Sequence, residues 1–188
     1  GLTQASLVNP HETASHLADI VGAQCYYIAA PALTDSEATR DIFLEQSMVR
    51  DVFERGSKVD LALLSVGELT HPNTVTQVGL ISNAEATSLM KAGAVGDISL
   101  HWIDAAGEVI DHPLNQRVIA LSPSKLKNIP CVVLASGGRS KVTVLHGALY
   151  AGFANVLVTD EQTARGVLDR ADGRRQPLQP RCHRDREA

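Results

Sequence analysis

Of 188 residues, only three are cysteine, one is tryptophan and 4% are aromatic. Cys25, Cys131 and Cys182 form no C-x-x-C pair. That excludes a disulfide scaffold and a cysteine zinc site, and it fits reduced thiols in a cytoplasmic protein. Cys25 and Cys131 lie in apolar, strand-like runs and are expected to be buried. No apolar run reaches membrane-spanning length, so no membrane partner is expected, and no N-terminal signal peptide is visible. A basic excess is also absent. The formal net charge is −4 and the pI about 6.0, which argues against this chain gripping nucleic acid by itself. Neither G-x-x-x-x-G-K-[ST] nor G-x-G-x-x-G occurs, so nucleotide cradles of those kinds are excluded, and there is no G-x-S-x-G elbow. His71, His101 and His112 are scattered without metal-ligand spacing. No metal or cofactor is expected.

With 44% hydrophobic residues and 20% charged, one globular domain with an ordinary core is what remains. The chain opens at "GLTQAS" without an initiator Met and reads as a fragment of a longer protein. Helix starts are well marked. Asn9, Pro10 and Glu12 suit a capped start, followed by Ala14, Leu17, Ala18 and Val21 on one face and Gly22 as a stop. "DSEATRDIFLEQSMVRDVFERG" predicts two helices, with Ser47 capping the second and Gly56 ending it. Ser82 and Glu85 form a capping box for a helix ending near Gly93. Ser122 and Pro123 open a short helix, "SKVTVLHGALYAG" a longer one, and the Thr159–Gln162 box the last.

Strands are predicted at Cys25–Pro31, at Val59–Gly67 (continuous and apolar, as if buried on both faces), at "CVVLAS" and at Asn155–Thr159. A hairpin is predicted within Asp97–Ile110, around a turn at Asp104–Gly107. The alternation predicts an α/β fold, a mostly parallel Rossmann-like sheet wound with helices on both faces and interrupted by that inserted hairpin. The folded domain is expected over 1–170, with a disordered, charged tail over 171–188.

In such sheets ligands bind at the carboxyl ends of the strands. The strongest candidate is the loop after "VVLA". Gly137 and Gly138 let backbone approach a ligand, Arg139, Ser140 and Lys141 follow, and a helix start offers unpaired N–H groups to an anion. Composition alone leaves a phosphate site and a solvated glycine turn equally open. Asp97, framed by Gly93 and Gly96, could accept hydrogen bonds from sugar hydroxyls or serve as a turn aspartate. Glu68 after Gly67 carries the same two readings. Trp102 suits a core or an interface better than a stacking platform.

"GAVGDI", "DAAGEVI", "LKNIPCVVLASGG-x-x-K" and "NVLVTDEQTA" occur in that order, with "APAL", "VDLALLSVGE" and an opening "GL". The ordered set resembles the sugar-binding (effector) domain of the SorC family of bacterial transcription regulators, over about Gly1 to Asp169. The resemblance implies a fold like the glucosamine-phosphate and ribose-phosphate isomerases, a phosphorylated-sugar effector, and a homo-oligomer, commonly a dimer or tetramer. It also implies operator DNA bound only through a helix-turn-helix domain that this chain lacks. It places the phosphate loop on Gly137, Gly138 and Lys141, the first glycine-rich loop on Gly1, Leu2 and Thr3, and further site positions on Gly67, Glu68, Asp97, Thr159 and Asp160. Family members often carry glycine two residues after the Ile of "GDI" and an aromatic pair before a "DADG" turn. This chain has Leu100 and "HWID". A sugar-phosphate isomerase on the same fold is the enzymatic alternative. It would need a general base over the sugar, and no stretch pairs Glu68, Asp97 or Asp160 with a partner. The expectation is a sensor and not an enzyme.

Overall fold

The computed structural model describes residues 10–70 and 74–172. Gly1, Leu2, Thr3, Asn9, His71 and the tail from residue 173 lie outside the described residues. The chain begins with α1 (Pro10–Val21), α2 (Glu37–Glu45) and α3 (Ser47–Gly56), followed by β1 (Leu61–Leu64) and β2 (Val66–Glu68). After α4 (Thr74–Gln77) and α5 (Asn83–Lys91) come β3 (Gly96–Ile98) and β4 (His101–Ile103). A short 3-10 turn, α6 (Pro123–Leu126), β5 (Cys131–Ala135), a second 3-10 turn at Arg139–Lys141, α7 (Val142–Tyr150), β6 (Val156–Val158) and α8 (Glu161–Asp172) complete it.

The strands form two sheets. One is parallel, in the order β1-β5-β6, with Leu63 opposite Val133 and Val133 opposite Val156. The other is antiparallel, in the order β2-β3-β4. This is the α/β fold the alternation predicts, with a parallel and an antiparallel part of three strands each. Only Ser65 separates β1 from β2, so one run of chain serves both sheets.

Two cores follow from the two sheets. Leu134, Val132 and Ile98 pack against Val144, Leu145 and Ala148 of α7. Trp102, fully buried, packs with Leu69, Ile81, Ala86, Leu89 and Leu114. Each fully buried aliphatic side chain contributes about 1.5–3 kcal/mol, so α7 and α5 are pinned to their sheets mainly by these faces. The Ser82–Glu85 capping box is complete: Ser82 Oγ accepts the Glu85 N–H, and Glu85 accepts the Ser82 N–H at 2.8 Å.

Several expectations are corrected. Cys25–Pro31 forms no strand, although its residues are β-prone. A strand needs a neighbour for its N–H and C=O groups, and among the described residues β1 is paired only with β5. For the same reason Leu61 and Leu63 are 53% and 59% exposed, so β1 is not buried on both faces. Cys25 and Cys131 are half-buried and not fully buried. Ser47 is the first residue of α3, and Gln46 holds the cap position. The hairpin turns at Ser99–Leu100, between paired Ile98 and His101. The Asp104–Gly107 turn does form, since the Gly107 N–H donates to the Asp104 carbonyl at 3.0 Å, but its far arm is a single bridge, Ile103 to Val109. The last helix is capped by Asp160, one residue later than the predicted box: Asp160 Oδ1 accepts the Thr163 N–H at 2.9 Å.

Candidate ligand site

The parallel strands deliver three loops to one edge. Ser65 follows β1 and Ser136 follows β5, and their hydroxyls are 3.2 Å apart. The "SGGRSK" loop then leaves β5 and enters α7. Residues 137–140 of it are exposed, with Lys141 partly covered. Gly138 has φ +110, a conformation that side chains rarely adopt, and none of the described residues stands near where its Cβ would be. Gly137 is small for another reason: a Cβ there would lie 2.6 Å from Asp160 Oδ2.

Asp160 therefore braces this loop from below. The Gly138 N–H donates to Asp160 Oδ2 at 3.1 Å and to Thr163 Oγ1 at 2.8 Å, and the Thr163 hydroxyl donates to the same carboxylate at 2.6 Å. Those hydrogen bonds, led by that from the Thr163 hydroxyl, hold the Asp160 carboxyl down at about 2. Thr163 is fully buried and was missed by sequence reasoning. Its signal is the D-x-x-T spacing, which puts a hydroxyl one helical turn after the cap. Thr159 Oγ1, beside Gly137, is buried without a hydrogen-bond partner among the described residues.

Of the N–H groups from Gly138 to Lys141, that of Gly138 is taken as described and that of Lys141 by the Gly138 carbonyl at 3.0 Å. Arg139 and Ser140, at the start of the turn, have no backbone acceptor among the described residues. Such helix-start donors are where an anion sits.

The second half of the site comes from the antiparallel sheet. Gly67 is paired with Asp97, and Glu68 with Gly96. A Cβ on Gly67 would collide with Asp97 Oδ1, and one on Gly96 with the Gly67 carbonyl and Val144. These glycines let β2 and β3 close over the carboxylate. Asp97 is 8% exposed and accepts the Leu100 N–H at 2.9 Å. Burial pushes its carboxyl up to about 6, against the opposing effects of that hydrogen bond and of Lys141, while Glu68 adds to the rise. Lys141 Nζ stands 3.9 Å from Glu68 Oε2, with both side chains largely covered. Two carboxylates and one ammonium thus meet where the "SGGRSK" loop passes over β2 and β3. The turn after Asp97 is strained: Ser99 and Leu100 have φ +50 and +61.

The structure brings together Gly67, Glu68, Asp97 and Lys141, and separately Gly137, Gly138, Thr159 and Asp160. The Gly137–Lys141 loop links the two groups, and Arg139 and Ser140 lie exposed at its tip. Trp102 is core. Among the described residues no cluster of His, Cys, Asp and Glu could hold a metal ion, and no helix is long and apolar enough to cross a membrane.

An α/β domain thus carries a glycine loop, a helix start, one lysine and two carboxylates together beyond the carboxyl ends of its parallel strands. The chain belongs to the sugar-binding domain family, whose profile it matches over residues 1–169, and that domain is found in transcription regulators of the SorC and DeoR kind. It is 29% identical over 174 residues to the erythritol catabolism regulatory protein EryD of Brucella abortus, covering 93% of this chain and 55% of that protein. It superposes on a DeoR family transcriptional regulator from Listeria monocytogenes with a TM-score of 0.82 and 28% identity, covering 87% of this chain and 66% of the other. The full-length sorbitol operon regulator SorC from Klebsiella pneumoniae shares the fold, with a TM-score of 0.78 at 21% identity over 84% of this chain and 51% of that one. The chain spans about half the length of the curated relatives it matches.

Proposed function

We propose that this domain is the effector sensor of a bacterial transcription regulator, and that it binds a small phosphorylated sugar or sugar alcohol. The observation that carries this reading is the meeting of Lys141 with Glu68 and Asp97 beneath the Gly137–Lys141 loop. The phosphate sits on the N–H groups of Arg139 and Ser140 and draws Lys141 from Glu68. The freed Glu68 and the buried Asp97 then accept hydrogen bonds from hydroxyls. The family resemblance adds Gly1, Leu2 and Thr3, which lie outside the described residues, to the ligand-binding positions. Gly67, Gly137, Thr159 and Asp160 shape it.

Sensing fits better than turnover. Asp97 is buried and already engaged with a backbone N–H, a poor setting for a base that must reach a substrate proton. Lys141 faces a carboxylate and not an apolar wall, which disfavours Schiff-base chemistry. The full-length protein works in the cytoplasm as a homo-oligomer, and a helix-turn-helix domain outside this chain binds the operator. Ligand acts there only by binding one arrangement of subunits better than another.

The test is a thermal-shift screen of sugar and polyol phosphates, each beside its unphosphorylated parent, since a ligand of the native state raises the melting temperature. Four-carbon compounds lead the screen because EryD is named for erythritol. A stabilising phosphate that phosphorus NMR shows to be unchanged after prolonged incubation supports a sensor. Its conversion to an isomer would establish an enzyme instead.

A further inference from the structure

We propose a second ligand site, for a small amphipathic anion, at the opposite end of the parallel sheet from the "SGGRSK" loop. A cleft of about 440 Å³ opens between α3 and the segment leading into α6. Its lining includes the half-buried apolar side chains of Leu44, Phe53 and Leu121 and the exposed cations Arg50 and Lys125. The volume lies within the range of small-molecule sites. Both walls precede parallel strands: α3 leads into β1, and α6 into β5. The cleft therefore flanks the amino ends of those strands, whereas Ser65, Ser136 and Lys141 lie at or beyond their carboxyl ends.

Charge decides the ligand class. Glu54 is the one carboxylate in the lining. It follows Arg50 by one helical turn and would be its natural partner, yet it bonds Lys58 at 2.5 Å. Among the described residues neither Arg50 nor Lys125 has a carboxylate within ion-pair distance. With Lys58 beside Glu54, the cleft carries a positive excess beside its apolar side chains. The hydroxyls of Ser57 and Ser122 are at its rim but are occupied, with the Glu54 carbonyl and with Ser124. A ligand held here needs an apolar body of roughly the size of one or two rings and one carboxylate, sulfonate or phosphate between the two cations. A polyol phosphate, polar throughout, would leave those apolar side chains unmatched, so the two ends of the sheet select different compounds.

The probe is 8-anilinonaphthalene-1-sulfonate, which joins fused rings to one anionic group, followed by fluorescence titration of the whole chain. Nile red serves as a neutral control. Wild type should bind the sulfonate saturably. Arg50→Glu with Lys125→Glu should weaken it roughly tenfold or more, the scale of a lost charge-assisted contact, while Nile red binding stays unchanged. Both side chains are exposed, and unchanged circular dichroism will show that the variant is folded. Lys141→Ala should leave the titration as it was, so the outcome is independent of the sensor reading. The competing apolar surface is the sheet face of Leu61, Leu63 and Val158. Loss of sulfonate binding in Leu63→Asp, or equal binding by the charge-reversed variant, would overturn the proposal.

Discussion

Asp97→Asn should stabilise the protein at neutral pH and leave it unchanged in acid. In the fold the Asp97 carboxyl titrates at about 6 against an ordinary 3.8, chiefly because it is buried. The gap corresponds to about 3 kcal/mol. Below pH 4 the group is protonated in both folded and unfolded chains and contributes no difference. As the pH rises through 4 the unfolded chain ionises first and is favoured. The folded state follows near 6, and above that the loss is complete. Wild type should therefore lose about 2–3 kcal/mol relative to the asparagine variant between pH 4 and 6. The difference between the two proteins is the observable, because Asp160, Glu85 and Glu54 have carboxyls held low by hydrogen bonds and act in the opposite sense at more acid pH. Urea unfolding at half-unit steps from pH 3.5 to 7.5 supplies both curves. Asparagine keeps an oxygen for the Leu100 N–H, so the hydrogen bond survives the change. A gap that does not vary with pH, or an asparagine variant less stable at pH 7, would refute the claim that a carboxylate is kept there at the expense of the fold.

Other consequences can be checked alongside. Gly67→Ala should destabilise by about 1–3 kcal/mol, as overpacking does, and Asp97→Ala in the same chain should recover much of that loss in a double-mutant cycle, because the collision is with Asp97 Oδ1. Ser99→Gly should raise stability by about 0.5–1 kcal/mol in thermal melts, since it removes a side chain from a left-handed turn position. Asp160→Asn should lower the melting temperature at pH 7 and have less effect near pH 2. The folded carboxyl, held at about 2, contributes stability above the ordinary 3.8 that is lost as pH falls through 2.

The sequence was most informative where structure is local. The Ser82–Glu85 box, the Ser122–Pro123 start and the strand–loop–helix from Cys131 to Tyr150 each depend on residues a few positions apart, and each is found as read. Partner choice was not legible. Cys25–Pro31 has the composition of a strand, but only the sheet decides whether a neighbour is there to pair with it. The Ser99–Leu100 turn was hidden because neither residue is the Asn or Gly that such turns favour. Leu100 is held there by packing against the Trp102 core, at the position where the SorC family often has glycine. Lys141, Glu68 and Asp97 were each visible by type and loop position. Their convergence was not, because it depends on how β2 and β3 pair beneath α7. Asp160 is a site position through the family resemblance, and the structure adds its bracing of Gly138, directly and through Thr163.

Calorimetric titration with the best sugar phosphate of the screen and its unphosphorylated parent, on wild type and on Lys141→Ala, tests the central claim most directly. The phosphate should bind wild type clearly and its parent far more weakly. Lys141→Ala should lose about 1.5–3 kcal/mol for the phosphate, the scale of a charge-assisted hydrogen bond, and little for the parent. Equal affinity of wild type and Lys141→Ala for the phosphate would contradict the assignment of that loop as the phosphate holder.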